Sequence, residues 1–204
     1  MKLNLPSVLT ITALVVSFAW GQGTFVYDQQ SADENNPEGS GTGIQSIQPM
    51  GQSFTPTLSS MDFIRLYLYD GNPGNLLGAT VYLNLRTDSI AGPVLATSDS
   101  VTMPNGFGGY ENLYFSSSVA VTAGTIYYFQ PVVESGDLQG WGTLSGHYGY
   151  SGGTAFANGT ASTYYDLWFR EGVVVPEPSS AALILVGGGA LILFRCLKKT
   201  SALG

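Results

Sequence analysis

Cysteine, histidine and lysine are almost missing from this 204-residue chain. Cys196 is the only cysteine and His147 the only histidine, and the three lysines are Lys2, Lys198 and Lys199. Residues 22–175 therefore contain no thiol and no lysine. A disulfide framework, a thiolate nucleophile and a His/Cys zinc site are excluded there by counting. The same segment holds thirteen of the fourteen acidic residues against Arg65, Arg86 and Arg170, a net charge near −10. Such a surface repels phosphate backbones and anionic lipid headgroups, so nucleic acid is not an expected partner. A 3.6-residue apolar period is missing too, as is any internal repeat. The body must be stabilised by burial alone, and about 150 residues suffice for one core.

What is present reads as strands and turns. Residues 62–69 alternate Phe63, Arg65, Tyr67 and Tyr69 against Ile64, Leu66 and Leu68; residues 80–87 place Val81, Leu83 and Leu85 on one face. Period-two alternation predicts strands with one buried face. Further strands are expected at 24–27, 51–56, 94–98, 110–115, 125–134 and 164–170. Residues 31–43, polar and glycine-rich, are expected to be a loop or flexible leader. Asp70-Gly71-Asn72-Pro73-Gly74-Asn75 is dense turn chemistry. About eight short strands in a chain with 27 Gly and 10 Pro predict an all-β fold, an antiparallel β-sandwich of jelly-roll-like type.

Candidate chemistry is thin. Ser145 and His147 are two apart in an extended stretch and do not face each other as a nucleophile and base must, and no nucleophile elbow surrounds any serine. Asp62, Glu111, Glu134 and Asp166 are carboxylates that a glycosidase or lyase could use, but no spacing pairs them at the roughly 5–10 Å such chemistry needs. Asp70 and Asn72 supply hard oxygens in a turn, a weak calcium candidate beside the plain reading of turn composition. Trp141, Tyr148 and Tyr150 cluster in a glycine-rich stretch and are candidate glycan contacts, since sugar faces stack on aromatic rings. The blander reading is that they cover strand ends. No cofactor is expected and the body is read as non-catalytic.

The ends carry the strongest signals. Residues 1–21 have a short basic start at Lys2, an apolar run, and Ala19-Trp20-Gly21 with small residues where signal peptidase reads. This predicts a signal peptide delivered to the Sec translocon and cleaved after Gly21, with Ser17-Phe18-Ala19 as the alternative. At the other end, residues 181–194 contain only Ala, Leu, Ile, Val, Gly and Phe. Fourteen residues make a helix of about 21 Å, short of a hydrocarbon layer of about 30 Å. Extension over about 179–197 nearly closes the gap, because Arg195 can snorkel. Arg195, Lys198 and Lys199 then form a stop on the cytoplasmic side. The domains are thus 1–21, an exported body 22–175, and a terminal segment 176–204.

Pro176-Glu177-Pro178, an apolar span and a basic terminus, in that order, resemble the PEP-CTERM sorting signal of Gram-negative bacteria that make exopolysaccharide. The resemblance covers about 25 residues at the C-terminus. It implies recognition by exosortase, a membrane cysteine protease that cleaves near the motif, in the manner of other processed hydrophobic anchors. It further implies export across the inner membrane, a membrane-anchored precursor, and a cell-surface or extracellular end point. On this basis the chain is expected to be a non-catalytic surface or matrix protein, with a carbohydrate-binding module of the exopolysaccharide layer as the alternative.

Overall fold

The computed structural model describes residues 23–35 and 39–176. The expected signal peptide, the transmembrane span, Glu177, Pro178 and the basic stop lie outside the described residues; Pro176 is exposed at their edge. Residues Phe25–Val175 form one compact unit. In chain order its first strands are β1 (Thr24–Gln30), β2 (Ser40–Gly43), β3 (Gly51–Phe54), β4 (Ser60–Asp70), β5 (Ala79–Arg86), β6 (Val94–Thr97) and β7 (Val101–Met103). They continue as β8 (Gly108–Ala120), β9 (Tyr127–Gly136), β10 (Trp141–Gly146), β11 (Ala155–Ala157), β12 (Thr160–Ala161), β13 (Asp166–Leu167) and β14 (Phe169–Val175). Among the described residues no helix is long and apolar enough to cross a membrane.

Two antiparallel sheets of seven strands each make an all-β sandwich. The alternation in β4 and β5 is the reason they can face each other. Ile64, Leu66 and Leu68 of the first sheet and Val81, Leu83 and Leu85 of the second are fully buried in one core. Each such side chain contributes about 2 kcal/mol by leaving water. β4 pairs along its length with β8, and its other edge is shared by β14 and β10. In the second sheet β5 pairs with β9, and β9 with β3. Phe169 of the first sheet packs on Phe129 and Phe54 of the second, with centroids 5.2 and 6.2 Å apart.

Three differences from the expected layout have physical causes. The stretch 31–43 is not a free leader. Ser31 donates its backbone N–H to the Phe169 carbonyl, Glu34 accepts from Arg65 Nε at 2.8 Å, and Asp33 and Glu34 each lie 3.4 Å from the Arg170 guanidinium. Trp168 Nε1 donates to the Asp33 carbonyl, so this segment roofs a tryptophan that would otherwise face solvent. Residues 40–43 are strand β2, paired with β10. The stretch beginning at Trp141, expected to be loop, starts with a central strand, β10. Its Gly142 and the neighbouring Gly41 leave room for the Tyr69 ring, which occupies the space their side chains would take. Finally, Tyr164 and Tyr165 precede β13 and stand in a loop.

Candidate functional site

At one end of the sandwich, three adjoining clefts share the side chain of Tyr165. One of about 290 Å³ runs past His147, Ser162 and Tyr164. A second of about 410 Å³ is bounded by Ser40, Ser145 and Tyr148. The third, about 300 Å³ and more apolar, lies over Ile47, Phe156 and Leu167.

The loop from β12 to β13 builds the rim. Ser162 is tied back to β11, donating its N–H to the Ala155 carbonyl at 2.8 Å. Its Oγ then accepts the N–H groups of Tyr164 and Tyr165 at 3.3 and 3.0 Å. This local turn projects two consecutive tyrosines outward, as serine side chains at loop starts commonly do. Tyr164 is 72% and Tyr165 48% exposed. His147, just past β10, lies against the Tyr165 ring at 4.6 Å and edge-on to Tyr164 at 6.4 Å. The platform is therefore exposed and also braced.

Beneath it the polar groups are mostly committed. Asp166, buried, accepts from Gln52 Nε2 and from the Tyr150 N–H, both at 3.0 Å. Gln52 Oε1 in turn accepts the Leu167 N–H. Ser145 Oγ and Thr42 Oγ1 share a hydrogen bond of 2.6 Å. The Tyr148 hydroxyl is buried with no partner among the described residues, and burial, with Asp166 contributing, pushes it up to about 12.

The residues singled out by sequence divide sharply. Trp141 is not a glycan contact: it is fully buried and stacked on Phe107 at 6.4 Å, because β10 is a central strand and points it into the core. Tyr148 and Tyr150 do line the clefts but are half-buried. Tyr150 acts as a strut: its hydroxyl donates to Gln29 Oε1 and its ring meets Phe169 edge-on at 5.2 Å. Ser145 and His147 both border the 410 Å³ cleft, but Ser145 Oγ is engaged by Thr42 while the His147 ring lies tilted against Tyr165.

The carboxylates do not converge. Asp62 accepts the Val174 N–H at 2.7 Å and Glu134 accepts from Ser100 Oγ at 2.8 Å on the other sheet. Glu111 stands opposite Leu66, four residues along β4 from Asp62, or about 13 Å at strand rise. Asp70 Oδ1 accepts the Asn72 N–H and Oδ2 the Gly106 N–H, both at 2.8 Å, so the calcium candidate is a carboxylate already used to close turns. Among the described residues no three His, Cys, Asp or Glu side chains come together as a metal site requires.

Sequence reading missed the platform because Tyr164 and Tyr165 run into Asp166-Leu167-Trp168-Phe169 and read as the start of that strand. It also missed a pair of carboxyls 143 positions apart. Glu171 of β14 is 1% exposed and faces Asp28 of β1. Burial first, then the Asp28 charge, raises Glu171 to about 9, so it is a neutral acid able to donate to Asp28. Burial opposes ionisation of Asp28, yet the N–H groups of Leu58 and Thr57, at 2.9 and 2.7 Å, with the Thr57 hydroxyl, hold it below its usual range. With Glu171 closed to solvent and Asp28 at its edge, the pair joins the first strand of the body to the last.

No protein-family model matches this chain, and no curated protein is significantly similar to it.

Proposed function

We propose that this is a non-catalytic protein of the cell surface or extracellular matrix of a Gram-negative, exopolysaccharide-producing bacterium, with a jelly-roll-like sandwich exported between a signal peptide and a PEP-CTERM tail. The observation that carries the reading is the order Pro176-Glu177-Pro178, apolar span, Arg195-Lys198-Lys199 behind a domain without lysine or cysteine. The two prolines disfavour helix at the motif, so the span cannot extend upward through it and an extended stretch stays open to a protease. Signal peptidase and the Sec translocon act first, the tail holds the precursor, and exosortase then processes it.

The test is replacement of Pro176, Glu177 and Pro178 by Ala in a host with exosortase, with intact mass read on the product. Retention of the tail supports the reading; an unchanged mature mass leaves the motif a stiff spacer. A second reading, a carbohydrate-binding module, is favoured by the exposed tyrosine platform and its hydroxyl-lined clefts.

A further inference from the structure

We propose that the clefts around Tyr165 bind an uncharged polysaccharide chain, with sugar rings lying on Tyr164 and Tyr165 and a ring hydroxyl met by Ser162; this rests on the carbohydrate-binding reading above. Four observations point to that ligand class.

The tyrosines are exposed by construction. Ser162 Oγ pins both backbone N–H groups, and His147 backs the Tyr165 ring at 4.6 Å. A rigid ring held in water at little conformational cost suits the flat C–H face of a pyranose, which an aromatic face meets through apolar contact. The clefts also extend on more than one side of Tyr165, with volumes of about 290, 410 and 300 Å³. Three adjoining clefts that share one ring suit successive units of a chain better than one small molecule.

The polar atoms suit hydroxyls. Ser162 Oγ accepts two N–H bonds and still carries a proton to donate. Charge, finally, selects against acidic glycans. The carboxylate in the lining, Asp166, has one oxygen engaged by Gln52 and the other by the Tyr150 N–H. Arg65 and Arg170 are paired with Asp33 and Glu34, Arg86 donates to Gln130 and to the Gly92 carbonyl, and the body carries a net charge near −10. Nothing there attracts uronate or sulfate, and long-range repulsion discourages them.

The experiment is affinity electrophoresis of the full chain in a polyoxyethylene detergent, whose headgroup is not a sugar. Gels contain a neutral β-glucan, mannan, xylan or galactomannan, or the anionic alginate and polygalacturonate. Retardation is expected in at least one neutral gel and in neither anionic one, unchanged between about 0.05 and about 0.5 M salt, since no ion pair is formed. Tyr165→Ala and Tyr164→Ala should each weaken it about tenfold, while Tyr165→Phe, which keeps the ring, should retain most of it. Both positions are exposed, and an unchanged near-ultraviolet circular dichroism spectrum shows that the variants are folded. No retardation in any neutral gel, retention by the anionic gels, or binding indifferent to both alanine variants overturns the proposal. So does a loss of self-association in those variants without loss of glycan binding, which assigns the platform to a second copy of this chain. Processing of the tail is read separately by mass, so failure here and failure of the sorting reading are distinguishable.

Discussion

Replacing Glu171 by Gln should make the protein more stable near neutral pH and leave it nearly unchanged in mild acid. Glu171 is buried against Asp28 and stays protonated in the folded state up to about pH 9. In the unfolded chain a glutamate ionises near pH 4.3. A group whose folded value is raised contributes its stability in full below the unfolded value. That contribution is then lost as pH climbs towards the folded value, at about 1.4 kcal/mol per unit. By pH 7 the native state has given up about 3 kcal/mol relative to pH 4.5, and the decline ends near pH 9. Glutamine cannot ionise in either state, its amide can donate to Asp28 as the neutral acid does, and its carbonyl can accept the Gln29 N–H that now faces Glu171. Asp28, whose value is lowered, acts in a different window, losing its contribution only as pH falls below the ordinary aspartate range. Denaturant unfolding followed by tryptophan fluorescence at pH 4.5, 7 and 9 is the assay. The wild type should weaken steadily across that series, and Glu171→Gln should stay flat and exceed it by about 3 kcal/mol at pH 7. Parallel pH profiles for the two proteins would refute the reasoning, because they would place the titration elsewhere.

Trp141→Ala should cost about 3–5 kcal/mol, since it empties a fully buried site, whereas Trp141→Phe should cost far less because the indole N–H has no partner among the described residues. A Trp141→Ala protein of normal stability that had lost glycan retention would restore this residue to the binding surface. Asp70→Ala should lower stability by about 2 kcal/mol through two lost carboxylate bonds to backbone N–H groups, and a chelator should not move the melting temperature of the wild type. A chelator-induced fall would show that Asp70 holds a cation.

Strand alternation at Ile64, Leu66 and Leu68 and at Val81, Leu83 and Leu85 was legible in the chain alone, because period two is a property of neighbouring residues. So were the acidic, lysine-free body and the order of Pro-Glu-Pro motif, apolar run and basic residues at the C-terminus, which depend on composition and sequence order. The rest was set by contacts between residues far apart. Trp141 looked like a surface aromatic until Gly142 and Gly41 admitted Tyr69 and made β10 a central strand. Asp33 and Glu34 looked like a solvated leader, yet the arginines that bind them lie 31 to 137 positions away. Tyr164 and Tyr165 became a platform only because Ser162, anchored to β11, turns the chain before β13 begins. Glu171 is perturbed only because β1 lies beside β14. Local pattern decides which residues form strands and which face is apolar; the partner that each strand meets decides which side chains remain in water, and the candidate site is made of those.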